Sequence, residues 1–278
     1  MSKLISLLIS FIFLIWLFMV GFLFNKSVKK EIVEIFSKIK LNSDIVTKED
    51  LENLPENVQR WLEYSGISGR EKIVTVRLKQ KAKMRLDKNK QWISVQAEQY
   101  FTTEKPSFIW KATIKPAPLI HIIGRDKYLN GKGSMLIKFL SLFTVANSEG
   151  KEINQGTLLR YLAEMVWFTT AALNNYITWN EIDGNHAQAT MTYKGVTASG
   201  LFSFNDKGEV IKFEAERYGE FDKKFRLEVW SISLRDYKAF EEIRIPSKGE
   251  VTWKLKSGDF NWFNFEVTEI DYNVPLPY

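Results

Sequence analysis

From Leu4 to Phe24 the chain runs for 21 residues without a charge. At about 1.5 Å rise per residue, a helix of that length spans a hydrocarbon core of roughly 30 Å. The exit reads Gly21-Phe22-Leu23-Phe24-Asn25-Lys26. It lacks the small-x-small pattern of a cleavage site, so the segment is expected to stay as a transmembrane anchor over 1–25. Beyond it, Ile32, Val33, Ile35, Phe36 and Ile39 recur at helical spacing in a Lys/Glu-rich stretch. This predicts a juxtamembrane helical linker over 26–53, with a break at Asn42–Asp44. Leu54-Pro55 followed by Val58, Trp61 and Leu62, with Gly66 behind them, predicts a short second helix.

The period then changes to two. Val74, Val76, Leu78, Ala82, Met84 and Leu86 share one face, and Arg77, Lys79, Lys81, Lys83 and Arg85 the other. That is a long half-buried strand. Further strands are expected over 91–103, 107–115 and 119–128. Asn130-Gly131, Asp183-Gly184, Lys194-Gly195, Asp206-Lys207-Gly208, Lys248-Gly249 and Ser257-Gly258 mark turns. One interruption stands out. Leu158, Leu159, Leu162, Met165, Val166 and Phe168 follow helical spacing, predicting an apolar helix over 155–173. A sheet of about eleven antiparallel strands curls, and a curled sheet needs filling. The expected fold is mainly β (α+β): a large curved antiparallel sheet or unclosed barrel over a central helix, forming one β-rich domain over 54–278 behind the transmembrane helix.

Composition narrows the chemistry. There is no cysteine among 278 residues, which removes disulfides, thiol catalysis, cysteine metal sites and lipobox acylation. Thirty-nine basic residues stand against 33 acidic, a net charge of +6 spread along the chain. That suits an anionic lipid surface and argues against nucleic acid, which needs a concentrated patch. The two histidines, His121 and His186, have no companions at ligand spacing, so neither metal nor cofactor is expected. Ser134 sits on no nucleophile elbow.

Orientation signals conflict. Lys26, Lys29, Lys30, Lys38 and Lys40 after the apolar run favour a cytoplasmic domain by the positive-inside rule. The three-residue tail with Lys3 resembles an export signal, and the domain is assigned to the outer side of the cell membrane.

The basic strand face Arg77–Arg85 fits a lipid headgroup contact, or equally a solvated outer face. Arg160, Tyr161, Glu164 and Trp167 form a polar cluster on an otherwise apolar helix, with Arg160 and Glu164 one turn apart. Glu98 and Tyr100 share a strand face, as do Glu214 and Glu216. Trp110, Trp253, Phe263 and Phe265 are candidate interior aromatics.

Several strings together resemble a bacterial domain-of-unknown-function family whose members often carry an N-terminal membrane helix. They include Leu54-Pro55-Glu56-Asn57-Val58-Gln59-Arg60-Trp61-Leu62, Ala97-Glu98-Gln99-Tyr100-Phe101, Gly124-Arg125-Asp126, Gly156-Thr157-Leu158-Leu159-Arg160-Tyr161 and Gly249-Glu250-Val251-Thr252-Trp253. The resemblance covers roughly residues 54–274 and implies no activity. At the level of fold, the sheet-over-helix pattern resembles the half-barrels of periplasmic lipoprotein carriers.

Three readings follow. The first is a membrane-tethered, non-enzymatic protein that binds a hydrophobic or lipid-like ligand through Glu98, Tyr100, Arg125, Arg160, Tyr161, Glu164, Trp167 and Glu216. The second is an envelope docking module without a small ligand. The third is a hydrolase using Glu98, Glu164, Glu214 or Glu216.

Overall fold

A computed structural model describes residues 2–41, 43–118, 120–222 and 224–278. Asn42 of the expected break and Leu119 of the expected fourth strand lie outside the described residues, as do the side chains at 2–3, 6–10, 12–14 and 17–18. The chain is mainly β: the described residues form thirteen antiparallel strands in one unclosed sheet, with three α-helices. α1 (Ser2–Ser37) and α2 (Glu56–Ser65) precede β1 (Thr75–Met84), β2 (Ile93–Thr102), β3 (Ser107–Ala117), β4 (Ile120–Leu129), β5 (Lys132–Phe139) and β6 (Phe143–Glu149). α3 (Lys151–Glu164) and two 3-10 turns (Met165–Trp167 and Thr169–Leu173) follow. The chain continues through β7 (Ile177–Asp183), β8 (His186–Tyr193), β9 (Val196–Phe204), β10 (Val210–Phe221), β11 (Lys224–Phe240), β12 (Ile243–Leu255) and β13 (Gly258–Tyr272).

The strand order β6-β5-β4-β3-β2-β1-β13-β12-β11-β10-β9-β8-β7 makes two meanders that meet where β1 pairs with β13. The only long connection among them joins the two free edges, β6 to β7, and α3 carries it across the concave face. Sheet surrounds α3, so it is apolar on most sides: Leu158, Leu159, Tyr161 and Leu162 are all fully buried. Strand β5 meets it backbone to backbone. A Cβ on Gly133 would lie 2.6 Å from the Ile153 carbonyl oxygen, so only glycine fits there.

Two features correct the expected eleven strands. Lys248-Gly249 is no turn but the middle of β12, where a Cβ on Gly249 would lie 2.5 Å from the Phe265 ring. Tight turns instead occur where glycine is absent: Leu140 and Ser141 (φ 51° and 63°), Asp222 (φ 51°), and Glu241 and Glu242 (φ 46° and 67°) occupy the left-handed region. Such turns carry no Gly or Pro signal.

α2 has Pro55 at its N-cap and Gly66 in the left-handed conformation (φ 80°) at its C-cap. It closes one rim of the half-barrel. Arg60 Nη2 donates to the Gly184 carbonyl, Arg244 Nη1 to the Tyr64 carbonyl, and Arg70 pairs with Glu242. Trp61 fills the space beneath, fully buried against Trp179, Phe202 and Phe204.

α1 runs unbroken through residue 25. Its second half lies on the convex face, where Phe24, Val28, Ile32, Ile35 and Phe36 bury Tyr100, Ile109 and Ile123. Glu31 fixes it there by pairing with Lys127 (2.8 Å) and Arg125 (3.4 Å). Among the described residues, no helix is long and apolar enough to cross a membrane.

Candidate functional site

Strand alternation places different side chains on the two faces. On β10, Phe213, Ala215 and Arg217 turn inward, and Glu214 and Glu216 turn outward. On β4, Gly124 and Asp126 face in while Ile123 and Arg125 lie under α1. The inward set encloses a cavity of about 250 Å³ between α3 and the sheet. Its walls are mostly apolar: Met84, Ile137, Ile232, Phe263 and Phe265 are among them, with Trp110, Trp167, Trp230 and Trp262.

A charged cluster is set into this apolar wall. Arg160 donates from Nη1 to Asp126 Oδ2 (2.7 Å) and from Nε to Glu164 Oε1 (2.8 Å), and Gln99 Nε2 donates to Glu164 Oε2 (2.6 Å). The Arg160 guanidinium also lies over the Trp110 ring at 4.9 Å. Burial pushes the carboxyls of Asp126 and Glu164 above their ordinary values, against the pull of Arg160 on both.

Arg217 is placed differently. Its Nε donates to the Gly156 carbonyl (3.2 Å) and its guanidinium lies over the Trp230 ring at 4.7 Å. It makes no ion pair among the described residues. Burial, reinforced by the positive charge of Arg160, lowers its pKa to about 10. The indole N–H groups of Trp230 and Trp262 are buried without an acceptor. Trp230 and Trp262 thus line the cavity with their indole N–H groups buried, and the donor set into its wall without a carboxylate partner is the Arg217 guanidinium. A ligand atom with acceptor lone pairs would satisfy it.

Of the residues expected at a site, Arg160, Glu164 and Trp167 come together at this cavity. Tyr161 is fully buried in the core beside it, donating to the Thr102 carbonyl (2.9 Å). Glu98, Tyr100 and Arg125 are on the opposite, convex face. Tyr100 donates to Glu98 there (2.9 Å), and its ring is sealed beneath α1 and Tyr278. Glu216 is exposed on that face too. The four carboxylates considered for hydrolysis are thus not gathered: Glu164 is inside, and Glu98, Glu214 and Glu216 are outside. On the basic face of β1, Arg77 pairs with Asp271 (2.7 Å) and Lys79 with Glu269 (2.9 Å), while Lys81 and Lys83 are exposed.

The residues missed were Asp126, Arg217, Trp230 and Trp262. Arg217 was legible: the alternation that sends Phe213 and Ala215 inward sends Arg217 with them. Asp126 carries no such signal, because its charged neighbour Arg125 alternates to the convex face.

Among solved structures, the chain is similar to a LolA superfamily protein from Nitrosomonas europaea, with 11% identity over 80% of this chain and 92% of that one, and a TM-score of 0.42. A domain assigned to outer membrane lipoprotein sorting in Vibrio parahaemolyticus aligns at 9% identity over 73% and 87%, TM-score 0.37. A β-barrel-like DUF1849 protein from Brucella abortus aligns at 10% identity over 72% and 98%, TM-score 0.30. No curated protein matches the chain. Residues 44–265 match DUF6544, a family of unknown function, and the chain belongs to that family.

Proposed function

We propose that this protein is a membrane-tethered, non-enzymatic binding protein for an amphipathic ligand that carries a hydrogen-bond-accepting head on an apolar tail. One observation carries the reading: an apolar cavity into whose wall the Arg217 guanidinium is set, desolvated and without a carboxylate partner among the described residues. The tail gains by burying apolar area against Met84, Ile137, Ile232 and Phe263. The head accepts hydrogen bonds from the desolvated Arg217 cation. Arg160 is already held by two carboxylates, so it positions the wall and Arg217 meets the ligand. At about 250 Å³ the space is below the roughly 300–1,000 Å³ of pockets that enclose a drug-sized ligand. It therefore fits one chain or a short ligand rather than a whole multi-chain lipid.

In this reading the tether is the run Leu4–Phe24, 21 residues without a charge. In this reading residues 1–25 anchor the chain, 26–53 join anchor to sheet, and the β-rich domain over 54–278 holds the ligand on the outer side of the cell membrane.

The test is native mass spectrometry of the full chain released from membranes in mild detergent, followed by solvent extraction and lipid analysis. A co-purifying ligand with an acceptor head, lost in Arg217→Met, is the expected result. A chain that carries no ligand and takes up none from a panel of fatty acids and lysolipids would end the reading. A reporter fused after Tyr278 decides the side of the membrane.

A further inference from the structure

The apolar half of α1 leaves the sheet at a particular place. Phe36 packs on Tyr100 in β2, Glu31 pairs with Arg125 and Lys127 in the middle of β4, and Gly21 meets the β5–β6 turn, where a Cβ on Gly21 would lie 3.4 Å from Ser141 Oγ. The helix therefore crosses the convex face obliquely and exits past that turn, with its apolar N-terminal half beyond the rim. This is the rim opposite to the one α2 closes. Hairpin turns at these strand ends follow one another along the sheet: β5–β6, β3–β4, β1–β2, β12–β13 and β10–β11, then β8–β9, whose Lys194 packs on Gly131 of the β4–β5 turn. Hydrogen bonds tie neighbouring turns together. Leu140 N donates to the His121 carbonyl, and Lys88 Nζ donates to the Ser257 carbonyl.

The same rim exposes apolar side chains that a water-facing edge has no reason to carry. Phe143 is 60% exposed, Val145 65% and Leu86 73%, and Ile120, Phe225 and Leu227 are exposed as well. Phe143 and Val145 lie on β6, a free edge strand, where exposed apolar residues invite aggregation unless something covers them. Exposed lysines stand among them: Lys90, Lys115, Lys224 and Lys256. Aromatic and aliphatic tips interspersed with lysine match an interface with anionic headgroups.

Depth agrees. Gly21 is five residues before Lys26, the first charge after the apolar run. At about 1.5 Å per residue the Ser141 turn lies some 7–8 Å to the apolar side of that lysine. Interfacial segments bury their apolar faces by about 5–10 Å.

We infer that the open rim of the half-barrel is a membrane-docking surface, with the β5–β6 turn and the start of β4 beside it dipping into the acyl boundary of the bilayer that holds α1. The occupant is a lipid surface with anionic headgroups. The inference rests on the reading of Leu4–Phe24 as an anchor. Its consequence for the cavity is direct: Met84, Ile114 and Phe263, which line it, lie on the strands next to this rim, so an amphipathic ligand passes between bilayer and cavity without crossing bulk water.

The absence of cysteine makes the test simple, since single labels need no background removed. The full chain is reconstituted in vesicles of phosphatidylcholine and phosphatidylglycerol containing doxyl-labelled lipid. An environment-sensitive fluorophore is placed at Phe143→Cys, Phe225→Cys, Phe11→Cys or, on the α2-closed rim, Ile182→Cys. Lipid quenching severalfold above the Ile182 label is expected at 143, 225 and 11. Quenching at 11 with none at 143 and 225 would overturn the docked rim and leave the anchor standing. Quenching at 143 and 225 but not at 11 would keep the rim and sink the anchor. No quenching anywhere would sink both. Hydrogen exchange of the unlabelled chain, in nanodiscs against detergent, gives a check that needs no variant: slower exchange is expected over 120–122 and 140–145, and unchanged exchange there would overturn the proposal.

Discussion

The two rims of this half-barrel are made from the two ends of one sheet and are finished in opposite ways. One is stoppered. α2 lies across it, Trp61 is fully buried, and Arg60, Arg70 and Arg244 tie helix to hairpin turns. The other is left open, with Phe143, Val145 and Leu86 exposed and an apolar cavity behind it. A protein that only needed a stable core would close both. The difference separates an end where buried packing is concentrated from an end that keeps apolar side chains exposed, and the charged cluster in the cavity lies between the two.

The largest expected effect is on the closed rim. Trp61→Ala removes a fully buried side chain ringed by Trp179, Phe202 and Phe204, and should cost about 3–5 kcal/mol in denaturant unfolding. A loss below about 1 kcal/mol would mean that α2 is not a structural stopper, and the contrast between rims would collapse.

Arg217 probes the middle. Its charge is desolvated without an ion pair, so Arg217→Met should stabilise the ligand-free protein by about 1 kcal/mol while weakening ligand binding. A destabilised variant would make Arg217 a structural tie to Gly156 instead of a group kept for a ligand.

The carboxyls beside it give a pH signature. Burial raises Asp126 and Glu164 above their ordinary values, so the folded state holds those protons more tightly than the unfolded chain does. Their contribution to stability is then greatest below about pH 4 and declines as pH rises through the raised values. Exposed carboxyls such as Asp183 and Asp236, whose values are lowered, slope the other way. The informative quantity is therefore the wild type minus the Asp126→Asn, Glu164→Gln double variant, by urea unfolding at several pH values. That difference should fall with rising pH. A rising difference would show the Arg160 pairing to outweigh burial.

The smallest effect belongs to the open rim. Phe143→Ser should change unfolding free energy by no more than about 0.5 kcal/mol, because an exposed ring has little to lose. A cost of several kcal/mol would mean that Phe143 is packed in the folded protein, and the rim would be closed after all.

Much of the architecture could be read along the chain. The period-two pattern of β1 predicted its inward Val76, Leu78 and Ala82, and the apolar helix inside a run of strands predicted α3 as filler. Asn130-Gly131 and Lys194-Gly195 turned where expected, with positive φ at both residues of each pair. Turns built on Ser141, Asp222 and Glu242 were not legible, because a non-glycine residue enters the left-handed region only when tertiary contacts outweigh the steric cost. That is why eleven strands were expected and thirteen formed.

The site was half legible. Arg160 and Glu164 are a local pair on one helix, so spacing sufficed. Glu98, Tyr100 and Arg125 looked equally polar and equally placed, yet α1 covers their face of the sheet and removes them from the cavity. Arg217 had the right parity, but parity alone does not say that β10 and β4, far apart in sheet order, curl to the same cavity.

By itself the sequence determined the alternation of each strand, the apolar helix, the lack of thiol chemistry and the uncharged run at the start. These depend on neighbours along the chain, where periodicity and side-chain type act locally. Only the tertiary structure decided which face became the inside, which rim α2 closed, and that Arg217, Trp230 and Trp262 meet at one cavity. Those outcomes depend on how thirteen strands curl together, a sum over contacts distant in sequence that no local pattern encodes.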